Sequence, residues 1–233
     1  MAGDKTEDEQ IELLKKWLSE NGTSIIVSIV VVLAIVLGYR TWETQTRETA
    51  EAASVIYEEL VEAVTVNPSQ TISAENLSTS KFLANQLKSE YGNSTYAQFA
   101  AMHLAKLAVE ADDLETAATE LQWVLDNGSS RKIAIIANLR LAKVKFGLKE
   151  YDSAIAQLDT IEPGSHKSSY EELRGDVYYA LGSIDESREA YQRAVNLQTG
   201  NKKPMTQMKL DDLVAPAAEL AIDEAPANGD EEG

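Results

Sequence analysis

The chain contains no cysteine. Disulfides, thiolate metal sites, a cysteine nucleophile and a lipid-modified N-terminal cysteine are therefore all excluded. A chain without thiols suits an oxidising compartment, where a free thiol is a hazard. Histidine is almost as scarce, with His103 and His166 the only two. Aromatic residues make up 6% of the 233 residues, while Ala, Leu and Glu dominate. That balance favours helix over sheet. Basic residues are outnumbered, 21 Lys and Arg against 38 Asp and Glu, for a formal net charge of −17. So acidic a surface repels nucleic acid, whose binding needs clustered Lys and Arg, and it is compatible with cationic partners.

The chemistry of an active site is missing as well. No glycine-rich phosphate loop and no nucleophile elbow occurs. His103 falls inside a helical stretch with no carboxylate motif at ligand spacing, and His166 follows the turn Pro163-Gly164-Ser165. Asp112-Asp113 and Asp211-Asp212 read as helix-terminal or solvated charges rather than as an acid/base pair. The expectation is a protein with no catalytic, cofactor or metal site, and no enzyme.

What is present begins with one long apolar run. Asn21 to Tyr39 carries no charge, and Ile25 to Leu37 is almost purely aliphatic. With its flanks the run approaches the roughly 20 residues that cross a bilayer. Trp17 precedes it, and Tyr39 and Trp42 follow, at the depth where such rings prefer the headgroups. No small-x-small cleavage site follows, so the run reads as an uncleaved signal anchor. Lys5, Lys15 and Lys16 on one side against Arg40 and Arg47 on the other point the N-terminus to the cytoplasm. The rest of the chain then faces the periplasm. Ser24, Ser28, Ala34 and Gly38 fall within about 120° of one helix face, where small residues let a second membrane helix approach.

Three stretches, Tyr96 to Asn127, Arg131 to Glu162 and Lys167 to Gln198, share one plan of helix, turn and helix. Ala117, Ala154 and Ser187 recur at the same place in each, 37 and 33 residues apart. Twelve residues earlier lie Ala105, Ala142 and Gly175, and four residues later Leu121, Leu158 and Tyr191. Small residues thus face large ones in a common register. A period near about 34 with paired helices is the tetratricopeptide pattern. The fold class expected is all-α: a single N-terminal transmembrane helix and a tetratricopeptide-like solenoid of about three to four helix pairs, with a disordered acidic C-terminal tail.

The boundaries follow. Residues 1–20 form a cytoplasmic segment, 21–42 the anchor, and 43–93 a helical stalk with a first degenerate pair. Residues 94–198 hold the three repeats, 199–214 a possible cap, and 215–233 the tail. In the stalk, Ala52, Val55, Ile56, Leu60 and Val64 are expected on one face, ending at Asn67-Pro68-Ser69. A second helix is expected from Ser78 to Glu90. In the cap, Met205, Met208, Leu210 and Leu213 allow a short helix with an apolar side.

The first helix of each repeat lines the inner surface of such a stack. Counting from the small residues, that surface should show Phe99, Met102, Lys106 and Val109, then Ile136, Leu139, Lys143 and Phe146, then Glu172, Asp176 and Tyr179. The expected groove is apolar with two aligned lysines and acidic at its C-terminal end. A Met and aromatic rings suit loosely specified peptide segments.

Several segments, in this order, resemble the YfgM-like family of ancillary translocon subunits. They are the anchor, Tyr57-Glu58-Glu59-Leu60, Tyr96 to Lys106, Leu121 to Leu125, Leu139 to Lys143 and Met208 to Leu213. Ser94-Thr95 stands where the family has Ser-Pro, a departure that bears on the start of a helix. The resemblance implies an inner-membrane protein with a periplasmic repeat domain beside the SecYEG translocon. It further implies links from emerging, unfolded clients to periplasmic chaperones, including a membrane-anchored prolyl-isomerase-like (PpiD-like) partner. The competing reading is a regulatory module that restrains an envelope stress-response signalling protein.

Overall fold

The computed structural model describes residues 7–64, 73–197 and 204–214. The break expected at Asn67-Pro68-Ser69, the start of the capping segment and the acidic tail from Ala215 lie outside these. By its internal contacts the chain divides into two units, Met1–Ser54 and Val55–Gly233.

The first unit is almost entirely α1, which runs Glu7–Val64 over 58 residues and ends in the second unit. It begins well ahead of the apolar run, because Glu7 to Glu20 is rich in Glu, Leu and Lys and contains neither Gly nor Pro. Among the described residues it is the one helix long and apolar enough to cross a membrane. Its aliphatic side chains stand exposed, as in Ile26, Leu33 and Leu37, so they require lipid rather than a protein core. Ser28 donates to the carbonyl of Ser24 at 2.8 Å, and Thr41 to that of Leu37 at 2.9 Å. Each hydroxyl is thereby satisfied within its own helix. Nothing approaches within 4 Å of where a Cβ on Gly38 would stand.

Towards its end, α1 buries the expected stripe in part. Leu60 is buried and Ile56 and Val64 half-buried, whereas Ala52 and Val55 are exposed and Ala53 and Tyr57 turn inward instead. A count restricted to aliphatic residues passes over Tyr57, whose ring stacks near Tyr96 and Phe99 at 5.4 and 6.0 Å. Next comes α2, Ala74–Glu90. It starts four residues before Ser78, because Ser73 caps it by accepting from the backbone N–H of Asn76 at 3.1 Å. The three pairs follow as α3 Thr95–Glu110 with α4 Leu114–Asp126, α5 Arg131–Gly147 with α6 Tyr151–Leu158, and α7 Lys167–Leu181 with α8 Ile184–Leu197. A single 3₁₀ turn, Gly164–His166, precedes α7, and α9 is Pro204–Val214. Ser94 caps α3 through the N–H of Ala97, which explains how the helix starts without a proline.

From α2 to α9 each helix packs chiefly on its neighbour in sequence, as a solenoid requires. The small positions lie at the helix contacts: Ala117, Ala142, Ala154 and Ser187 are fully buried, with Ala105 nearly so. Ser187 donates to the carbonyl of Gly175 at 2.9 Å. A Cβ on Gly175 would meet the Tyr191 ring at 2.5 Å, so only glycine fits there. The three turns are superimposable in their bonding. Asp113, Glu150 and Ser183 each donate to the carbonyl five residues back, at 2.9 Å in all three cases. Asp112, Lys149 and Gly182, one residue earlier, all have positive φ. This is the Schellman closure, repeated at the same offset as the small residues.

Two apolar layers result. One joins α3, α4 and α5 through Ala101, Leu121, Val124, Ile133 and Leu141. The other joins α5, α6 and α7 through Ile135, Leu158, Tyr170, Leu173 and Val177. Between them lies a buried polar knot. Asn138 donates to the carbonyl of Gln157 at 2.9 Å and to the Tyr170 hydroxyl at 3.3 Å, while Thr160 donates to Asn138 Oδ1 at 2.9 Å. Tyr170 in turn donates to the carbonyl of Ile135 at 2.8 Å.

At the C-terminal end, α9 packs on α8. Leu210 and Leu213 close a small cluster with Tyr191 and Val195. Met205 and Met208 do not join it and remain 71% and 63% exposed. On a helix the two pairs fall on different sides, because Met205 and Leu210 are five residues apart.

Candidate protein-interaction groove

Phe99, Met102, Lys106 and Val109 from α3 and Lys143 from α5 line one cavity of 630 Å³. Five of the eleven predicted groove residues are thereby brought together. Tyr57 from the end of α1 adds an aromatic wall, and Leu114, Leu121 and Val144 add apolar floor. Val109 is 46% exposed, an apolar side chain left in water beside this floor. The charged groups stand at the margin. Lys106 pairs with Glu110 at 3.5 Å, both largely exposed, so the pair adds little stability. Arg140 places Nη1 3.7 Å from the Met102 sulfur. Among the described residues neither Arg140 nor Lys143 has a carboxylate partner.

The remaining predicted residues go elsewhere. Leu139 and Phe146 pack against the second apolar layer. Ile136 is half-buried outside the cavity lining. Glu172 and Asp176 both bind Lys209 of α9, at 3.1 and 2.7 Å. Tyr179 is 57% exposed. The acidic end of the groove is therefore filled by the chain itself. Lys209 also lies 5.7 Å from the centre of the Tyr191 ring, and the Tyr191 hydroxyl donates to Asp176 at 2.7 Å. Burial, and then the Asp176 carboxylate, hold that phenol protonated far above its usual range.

Several lining residues lay outside the sequence-based set, Tyr57, His103 and Arg140 among them. Arg140 was legible, because it lies three residues before Lys143 and so shares its helix face. Tyr57 was not, since it arrives from a helix outside the repeats. The His103 Nε2 is shielded from water and has no hydrogen-bond partner among the described residues. Burial and then the Lys106 charge lower its pKa, so the imidazole stays neutral at the groove wall.

The tetratricopeptide repeat-like domain family matches residues 15–215 of the chain. Over 210 residues the chain is 30% identical to the ancillary SecYEG translocon subunit of Escherichia coli, covering 90% of this chain and 97% of that protein. The chain belongs to the family of ancillary SecYEG translocon subunits. The resemblance drawn from Tyr57 to Leu60 and Tyr96 to Lys106 is thereby borne out. Two more members of the family are similar over their full length. The Haemophilus influenzae subunit is 29% identical and the Neisseria gonorrhoeae subunit 27%, each over 91% of this chain. In this ancillary-subunit family chain, the groove offers apolar floor, rings, a thioether and peripheral cations. No group of His, Asp and Glu able to hold a metal occurs among the described residues. Such a surface can hold peptide segments by burial and by charge.

Proposed function

We propose that the chain is a single-pass inner-membrane scaffold at the Sec translocon and that its groove receives protein segments. The single observation behind this reading is the groove between α3 and α5, apolar at its floor and open to solvent, in a chain of the ancillary-subunit family. The N-terminus is cytoplasmic and the repeat unit periplasmic, on the lysine bias around the anchor. The partners are SecYEG itself, unfolded chains emerging from it, periplasmic chaperones and a membrane-anchored PpiD-like prolyl isomerase. The role is one of interaction, not catalysis. The membrane contact uses Ser24, Ser28, Ala34 and Gly38, and the protein contact uses Phe99, Met102, Lys106, Val109 and Lys143.

Photocrosslinking tests this in whole membranes, with a photoreactive residue in place of Val109, Met102 or Ala34. The expected neighbours are translocon subunits from position 34, and secreted chains and chaperones from positions 102 and 109. Exclusive capture of a signalling protein from the groove positions would instead favour the regulatory reading.

A further inference from the structure

The chain as a whole is strongly acidic, yet its open groove is not. Of the charged side chains lining the cavity, Lys106, Arg140 and Lys143 are cationic and only Glu110 is anionic. Glu110 is already taken by Lys106. Arg140 and Lys143 are left without carboxylate partners among the described residues. The inner surface does carry acids further along, at Glu172 and Asp176. Those are neutralised by Lys209, which α9 holds in place through Leu210 and Leu213. What remains open is therefore the positive and apolar part alone.

Resting on the reading of this groove as a partner-binding surface, the geometry points to a charge selection: the groove takes extended segments of protein partners in which apolar side chains alternate with carboxylates. The apolar side chains of such a segment bury against Phe99 and Met102, and Met102 adapts to their shape. Its carboxylates meet Arg140 and Lys143 at the margin. Arg140 offers a planar fork suited to two oxygens at once, and Lys143 a single mobile charge. The same margin repels basic segments. Whole-chain charge would lead to the opposite preference, so local and global electrostatics make different predictions.

Two labelled decapeptides decide between them. Both carry Phe and Leu at alternate positions, with Glu between them in one and Lys in the other. Binding is read by fluorescence anisotropy to the full chain in lipid nanodiscs, at low and at physiological salt. The expected result is that the Glu peptide binds about ten-fold tighter than the Lys peptide, and that salt narrows the gap. Arg140→Glu with Lys143→Glu should reverse the order. Should circular dichroism show that variant misfolded, Arg140→Gln with Lys143→Gln should instead cost the Glu peptide about ten-fold.

Equal affinities for the two peptides, or tighter binding of the Lys peptide, overturn the charge selection while leaving the groove as a binding surface. Absence of binding by either peptide removes the groove reading itself. Removal of residues 215–233, which hold six carboxylates, should leave the Glu peptide's affinity unchanged. A rise of about ten-fold would overturn the proposal by making the chain's own C-terminal residues the occupant. Loss of the peptide preference with chain concentration would do so by making it a second copy.

Discussion

Asn138 is fully buried, and every polar atom of its amide is engaged by Gln157, Tyr170 or Thr160. Replacement by Ala leaves the Nε2 of the buried Gln157 without its acceptor. Asn138→Ala should therefore destabilise the protein by about 1–3 kcal/mol, seen in thermal melts of the detergent-solubilised chain. A melt unchanged within error would mean that water replaces the amide. Nothing in the sequence distinguished Asn138 from a surface polar residue in a helix, since its partners come from α6 and α7. The small residues were legible because their role is set by spacing: Ala142 and Gly175 repeat at the offset of the helix pair. The partial burial of His103 was not legible in the sequence. Its pKa is depressed in the folded state, first by burial and then by Lys106. As pH falls through the unfolded value of 6.5, the unfolded chain gains a proton that the folded chain refuses, so stability drops below that pH. His103→Gln should flatten the fall in melting temperature between about pH 7.5 and pH 5.5 relative to wild type. Identical slopes for the two proteins would assign the acid sensitivity to other groups.

The helix pairs were readable from their turns, though not the strain within them. Lys149 sits at φ 62 and Asp112 at φ 60, where Gly182 in the third repeat sits at φ 78. A side chain in the left-handed region costs roughly 1 kcal/mol, and glycine avoids that cost. Lys149→Gly should raise the stability of the chain, or leave it unchanged once the greater freedom of the unfolded glycine is counted. A loss of more than about 1 kcal/mol in chemical denaturation would show that the Lys149 side chain contributes contacts of its own. The length of α1 was underestimated because the apolar run drew the boundary, although helix formers extend far beyond it on the N-terminal side. Along that helix Ser24, Ser28, Ala34 and Gly38 share one side of about 120°, while Ile29 and Leu33 lie opposite at about 100° per residue. Ala34→Leu with Gly38→Leu should weaken co-purification of membrane partners in mild detergent. Ile29→Phe with Leu33→Phe should not. Equal recovery from both double variants would reduce the stripe to ordinary lipid-facing surface.

For the molecule as a whole, the proposed orientation rests on a few lysines. Protease added to spheroplasts should reach the repeat unit while the inner membrane is intact. Protection until that membrane is broken would place the unit in the cytoplasm. The overall architecture was open to sequence reading because tetratricopeptide pairs signal themselves through period and register. The groove was open only in part. Its margin depends on Tyr57 arriving from α1, and its closed end on Lys209 arriving from α9, and neither belongs to a repeat. That closed end has a further consequence. A stack of helix pairs is a one-dimensional lattice, and an uncovered last helix offers the same apolar edge that an incoming pair would use. In this chain Leu210 and Leu213 already occupy Tyr191 and Val195, and Arg188 bonds the carbonyl of Leu213 at 3.2 Å. Growth at that edge is terminated, so copies crowded together on one membrane do not polymerise end to end through their C-terminal helices.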